Sequence, residues 1–135
     1  MSLKDQIGNT TDGGDIATQK ARIQRLEELS KDPAKGDKIT PASQREAEVA
    51  LQLEENGQLA RPIVRDPSGN AEFIDGEGIS WDIKQFHSEQ GRFNLEKAVI
   101  VISRELRAGE NVILDTKFLD PNDARTLRSA IEANG

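Results

Sequence analysis

The residues best suited to chemistry lie in one segment, AEFIDGEGISWDIKQF at residues 71–86. If residues 76–78 form a three-residue hairpin loop, directly paired residues have numbers that sum to 154, which places Glu72 opposite Asp82. Because side chains alternate along a strand, Glu72, Asp82 and Lys84 then project from one face. A two-residue loop would shift the register by one and separate them. Asp75 would lie at the end of the same hairpin.

This group of charges favours metal-assisted hydrolysis of phosphodiester bonds. Mg²⁺ prefers oxygen ligands and typically takes one or two protein carboxylates, and it acidifies a bound water. A lysine beside the ion can orient that water or stabilise developing negative charge. We therefore expect Asp82 and Lys84 to be catalytic, with Glu72 or Asp75 as a further ligand of Mg²⁺ or another divalent cation. The alternative is a solvated hairpin face with ordinary surface charges.

A second interpretation needs no metal. His87 is the only histidine, and together with Asp82, Lys84 and the pair Asp115-Thr116 it could carry acid–base chemistry on a ribose 2′-OH. The chain would then be a metal-independent tRNase of the barnase, EndoU, colicin or RelE type. A tryptophan next to Asp82 is expected to face the opposite side of the strand and to pack in the core rather than to stack on a base. The candidate substrate-binding residues are Trp81, His87, Asp115 and Thr116.

The elements that must position these residues alternate between helix and strand. Apolar spacing and turn residues predict helices over 15–31, from Thr40 to Gly57, from Asn94 to Gly109 and from Asp120 onwards, with strands over 60–66, 71–75, 79–86 and 111–115. Ser43 and Glu46 are expected to form a capping box. The predicted fold class is mixed α/β (α+β). Its core has the order helix, three strands, helix, strand, helix. Residues 1–38 are expected to be a linker and helical segment, with mobile residues 1–14, and residues 39–135 the functional domain.

Composition limits the classes of function. A chain of 135 residues fits one domain with an added N-terminal segment. It has no cysteine, which excludes disulfides and thiolate metal sites. The net charge of −6 disfavours a purely electrostatic nucleic-acid binder. The same charge suits a non-enzymatic alternative, an acidic immunity protein or binding module. We expect no transmembrane span.

Two resemblances rest on longer stretches of sequence. The element order, with Glu46 on the helix before the strands and Asp-x-Lys at residues 82–84, resembles the PD-(D/E)xK nuclease superfamily, which has a restriction-endonuclease-like fold. Residues 40–134 resemble the C-terminal toxin domains of bacterial polymorphic toxins, of the contact-dependent growth inhibition and Rhs types. The segments that carry this likeness are EAEVALQLEENGQL, PIVRDPSGNAEFIDGEGISWDIKQF, FNLEKAVIVISREL and GENVILDTKFLDPNDA.

The resemblance implies a nuclease toxin that hydrolyses tRNA or DNA in a target bacterium and is neutralised by a cognate immunity protein. It implies delivery by a larger secreted or cell-surface effector, action in the target-cell cytoplasm, and no stable membrane insertion by this domain. The superfamily's Pro-Asp is Ile74-Asp75 here, so Glu72 rivals Asp75, and Glu48 rivals Glu46 on the helix. The implied Mg²⁺ ligands are Glu46, Glu72, Asp75 and Asp82, with Lys84 positioning the attacking water.

Overall fold

The computed structural model describes residues 3–5 and 16–134, which form a mixed α/β fold with four α-helices and a mixed sheet in this part of the chain. The described residues divide into two compact units. The first unit contains residues 16–81, and the second contains residues 3–5 and 82–134. The boundary that we expected between residues 38 and 39 does not coincide with this division. Most of the predicted mobile segment at residues 1–14 lies outside the described residues.

Two helices pack together in the first unit. Helix α1 spans Ile16–Ser30 and helix α2 spans Pro41–Glu55. Their lengths match the predictions, because each follows a helical apolar spacing and α2 has proline at its first position. Ion pairs of 3.0 Å and 2.7 Å join the helices, from Arg22 to Glu55 and from Arg25 to Glu54. Ile16 and Ile23 on α1 remain exposed.

The expected capping box at Ser43 and Glu46 was wrong. The N-cap is Thr40, whose hydroxyl accepts from the Ser43 amide at 3.0 Å, while the Ser43 hydroxyl accepts from the Thr40 amide at 2.8 Å. Pro41 follows Thr40 directly, so the helix begins three residues earlier than a cap at Ser43 would allow. Glu46 is thereby left to pair elsewhere.

Short antiparallel strands complete the first unit. Strand β2 is Val64–Arg65, β3 is Phe73–Ile74, and β4 is Ser80–Gln85, of which the first two residues belong to this unit. Phe73 pairs with Trp81 and Ile74 with Ser80, which is the register predicted from the three-residue loop. The strand expected over residues 60–66 is only two residues long. The predicted segment contains Pro62, which precedes β2 and has no amide hydrogen for a sheet ladder.

The second unit contains strand β1 at Leu3–Asp5, the rest of β4, helix α3 at Leu95–Arg107, strand β5 at Asn111–Asp115 and helix α4 at Pro121–Asn134. Strand β5 lies between β4 and β1 and pairs with β1 in parallel, an arrangement that the sequence did not indicate. Helices α3 and α4 each bury an apolar face, in agreement with the apolar spacing from which they were predicted. Together with Leu114 of β5 and Leu119 before α4, they form a core of Ala98, Ile102, Leu114, Leu119, Ala124 and Leu127.

Among the described residues, none of the helices combines the length and the apolarity that crossing a bilayer requires.

Candidate functional site

Strand β4 presents Asp82 and Lys84 on the side opposite its buried residues. Trp81 and Ile83 are buried, whereas Asp82 and Lys84 are half-buried. This is the alternation that a strand with one face in the core produces. The two charged side chains therefore share a face and remain within reach of solvent. The sequence prediction for this strand is confirmed in that respect.

Three carboxylates meet next to this face in the second unit. One oxygen each from Asp82, Glu105 and Glu110 lies within 4.8 Å of the other two. Lys84 joins the same group, because its Nζ lies 3.2 Å from Oε1 of Glu105. The group supplies only oxygen ligands, and it could bind a metal ion.

The end of helix α3 positions the two glutamates. Gly109 has φ of 84°, a conformation that glycine adopts without strain. The amide of Glu110 donates to the carbonyl of Glu105 at 3.1 Å, and the amide of Gly109 donates to the carbonyl of Leu106 at 3.1 Å. These two bonds form a Schellman motif, in which the residues at the positions of Glu105 and Glu110 are brought side by side. A helix terminus thus holds two carboxylates against strand β4.

Our sequence reasoning missed Glu105 and Glu110. A signal for their mutual approach was present in the segment ELRAGE at residues 105–110, because a glycine after a helix predicts the Schellman motif. No sequence signal placed this helix end beside Asp82, since that placement depends on the order of strands in the sheet.

Asp75 organises the hairpin in the first unit. Its Oδ1 accepts from the amides of Glu77 and Ile79 at 2.9 and 3.0 Å, and its Oδ2 accepts from the indole Nε1 of Trp81 at 3.0 Å. The carboxylate is buried and has three donors. Its contacts are those of a turn-stabilising residue. Trp81 is buried, as we expected for a core residue, and the same hydrogen bond satisfies its ring N–H.

Glu46 also lies in the first unit and pairs with Arg65 at 3.1 Å. Arg65 is buried, donates to the carbonyls of Leu29 and Ser43, and stacks over the ring of Phe73 at 4.4 Å. Burial of a guanidinium requires such partners, and Glu46 supplies its only carboxylate within the described residues.

The other glutamates considered as ligands in this unit have different surroundings. Glu72 is half-buried, and its backbone amide donates to the carbonyl of Trp81 at 3.2 Å. Glu48, the rival of Glu46 on helix α2, pairs with Arg45 at 3.3 Å and is exposed. Their use as metal ligands stays a prediction.

Asp66 forms a second carboxylate-centred turn. Its Oδ1 accepts from the hydroxyl and the amide of Ser68 at 2.7 and 2.9 Å, and its Oδ2 accepts from the amide of Ala71 at 3.0 Å. The Ser68 hydroxyl, followed by these amides, lowers the pKa of Asp66 below its ordinary 3.8, against the opposing effect of burial. The side chain is a structural anion between β2 and β3.

Besides Asp82 and Lys84 on β4, the residues proposed for metal-independent chemistry lie beyond this strand in the second unit. His87 stacks on Phe118 with ring centroids 4.9 Å apart. Asp115 is fully buried and accepts from Gln85 Nε2 at 2.8 Å and from the Lys117 amide at 3.1 Å. These donors satisfy the buried carboxylate, as burial requires.

Thr116, the last of these residues, accepts at its hydroxyl from Arg128 at 3.3 Å. Its neighbour Phe118 is partly exposed and has Lys117 Nζ 5.7 Å from its ring centroid. Substrate binding by Trp81, His87, Asp115 and Thr116 stays a prediction.

Comparisons of the chain with protein-family models, with curated proteins and with solved structures found no match.

Proposed function

We propose that the chain is a nuclease that depends on a divalent cation, Mg²⁺ in the first instance, held by Asp82, Glu105 and Glu110. One observation carries the proposal: three carboxylate oxygens within 4.8 Å of one another, with Lys84 Nζ at 3.2 Å from one of the carboxylates. Asp82 and Lys84 were selected from the sequence for this chemistry. The two glutamates join them as ligands that the sequence did not indicate.

The set of donors fits a hard divalent cation. Three carboxylates and one ammonium sum to −2, which a divalent ion neutralises. Carboxylates this close repel one another unless a cation lies between them. Mg²⁺ takes oxygen ligands and retains several waters, so the small number of protein ligands suits it. Glu110 is exposed, which leaves one side of the group open to an ion and a substrate.

The chain's own residues divide the chemical work. A bound divalent cation would supply charge stabilisation and an acidified water. Asp82, fixed on β4, would orient the ion relative to the strand. Lys84 would place its ammonium beside the scissile phosphate and stabilise negative charge as it develops. Glu105 accepts from Lys84, so it holds that ammonium close to the other two carboxylates.

The sequence resemblance extends the proposal to a biological context. The substrate would be tRNA or DNA of a target bacterium, and the domain would be a toxin delivered by a larger effector and neutralised by a cognate immunity protein. A restriction-endonuclease-like core would follow from the same resemblance. Its supports are the Asp-x-Lys strand and the order of helices and strands.

The test is incubation of the purified chain with total tRNA and with plasmid DNA, in Mg²⁺ and in excess EDTA. We expect cleavage only with Mg²⁺, and a loss of about 100-fold in Asp82→Asn and in Lys84→Met, the scale of losing one charge-stabilising group. The matched control is Glu77→Gln, an exposed residue at the hairpin loop that should retain activity.

Folding of each variant is checked by circular dichroism. Cleavage that persists in EDTA would contradict the metal assignment and favour acid–base chemistry at His87. Absence of cleavage under every condition, with no growth defect on expression in bacteria, would favour a non-enzymatic binding module.

A further inference from the structure

The outward face of helix α3 carries an apolar centre with cations around it. Lys97, Ile100, Arg104 and Arg107 recur at intervals of three and four residues, so they share one side of the helix. All four are exposed, and Ile100 retains 54% of its accessible surface. A depression of about 380 Å³ lies along this side, lined by Val99, Ile100, Ser103, Arg104 and Arg107.

The charge of this face is opposite to that of the chain. Three cations and one acid, Glu96, give it +2, whereas the whole chain carries −6. Within residues 16–134, the side chains of Lys97, Arg104 and Arg107 make no hydrogen bond or ion pair. Arg104 and Arg107 lie near the helix C-terminus, where their positive charges interact favourably with the helix dipole. That effect does not account for the exposed Ile100, which lies between Lys97 and Arg104 on this face.

We propose that this face of α3 binds an acidic segment of a partner protein, which packs one apolar side chain against Ile100 and places carboxylates on Arg104 and Arg107. Charge complementarity selects an acidic partner. The apolar centre selects a protein, because arginines next to an apolar contact are typical of protein interfaces. Phosphates of a nucleic acid would use the arginines and leave the isoleucine without a contact.

The acidic group of Asp82, Glu105 and Glu110 does not take part in this surface. Glu105 lies in the last turn of α3 and Glu110 directly after the helix, and Glu105 faces strand β4 through Lys84. The docking surface is therefore independent of the proposed nuclease, and either assignment can fail without the other.

The experiment is selection of short randomised peptides, displayed on phage, against the full chain at low ionic strength. The recovered peptides should combine several Asp or Glu residues with one Leu, Ile or Phe. A synthetic peptide of the consensus sequence is then titrated against variants by fluorescence anisotropy. Arg104→Glu should weaken its binding by about fivefold or more, from the scale of an exposed ion pair that is reversed.

Ile100→Ser tests the apolar half of the proposal. It should weaken binding by about tenfold, the scale of one lost apolar side-chain contact. Arg125→Glu on α4, an exposed arginine in the same unit, is the matched control and should leave binding unchanged.

Four outcomes would overturn the proposal. In the first, the recovered peptides show no excess of Asp and Glu; in the second, all three variants bind the consensus peptide equally. In the third, the chain binds a single-stranded oligonucleotide as tightly as the peptide, and Ile100→Ser does not change that affinity. In the fourth, the chain self-associates and Arg104→Glu abolishes the association.

Discussion

The replacement of Glu110 by glutamine tests the candidate metal group through stability, without any assay of activity. Glu110→Gln keeps the size of the side chain and removes one of three negative charges that lie within 4.8 Å of one another. In the absence of divalent cations, that charge repels two neighbours. The variant should therefore be more stable than the parent in EDTA, although most substitutions destabilise a protein.

The magnitude follows from the distances. Two unit charges 4.8 Å apart in water repel by about 0.9 kcal/mol, and Glu110 takes part in two such pairs. Screening at ~0.1 M salt, where the Debye length is about 10 Å, reduces the sum to about 1 kcal/mol. For a chain of this size, that corresponds to a rise in Tm of about 3 to 5 °C.

A divalent cation should reverse the order of stability. At ten times its dissociation constant, an ion that binds only the folded parent stabilises it by about 1.4 kcal/mol. Loss of one of three ligands should remove most of this gain in Glu110→Gln. The experiment is thermal unfolding in EDTA and in millimolar Mg²⁺ or Mn²⁺, with sodium chloride added to equalise ionic strength.

Glu77→Gln serves again as the control, because it removes the same charge from an exposed position outside the group. The reasoning fails if Glu110→Gln lowers Tm in EDTA by about 3 to 5 °C, the size of the rise that we expect. It also fails if the parent and the variant respond equally to the divalent cation.

Two further predictions concern the turns of the first unit. A Cβ at Gly76 would overlap the carbonyl of Arg61, so Gly76→Ala should cost about 3 kcal/mol or more. A Cβ at Gly78 would meet free space, so only the positive φ opposes Gly78→Ala, and its free energy of unfolding should fall by about 1 kcal/mol. Urea unfolding measures both variants, and equal losses of stability would refute the clash at Gly76. Ser68→Ala should destabilise the chain by about 1 kcal/mol at neutral pH, because its hydroxyl bonds the Asp66 carboxylate. That stabilisation exists above the ordinary pKa of 3.8 and is lost as pH falls through the lowered folded value, so the deficit should shrink in acid, and a deficit independent of pH would contradict it.

The hairpin could be predicted because local rules determine it. Side chains alternate with a period of two, and the loop GEG at residues 76–78 sets the register, so the pairing of Phe73 with Trp81 followed from counting. The helices followed from apolar spacing and from terminal residues such as Pro41 and Asn94, which lie where helix starts were expected.

The full candidate site could not be predicted, because it depends on non-local placement. Glu105 looks like an ordinary helix charge, and its approach to Asp82 requires β4 and β5 to be neighbours. The role of Asp75 was obscured for a different reason. An aspartate that binds a metal ion and an aspartate that stabilises a turn cannot be distinguished in the sequence. The hydrogen-bond donors around the carboxylate, which only the structure shows, distinguish the two.

The hydrogen bond between Trp81 and Asp75 makes the hairpin an optical reporter. The chain has one tryptophan, and its indole is buried and bonded to the carboxylate that organises the loop. Intrinsic emission therefore follows the melting of this hairpin, whereas far-ultraviolet dichroism is dominated by the helices of both units. Coincident transitions would show that both compact units unfold as one cooperative system. A second dichroism transition without a change in emission would give the unfolding temperature of the second unit.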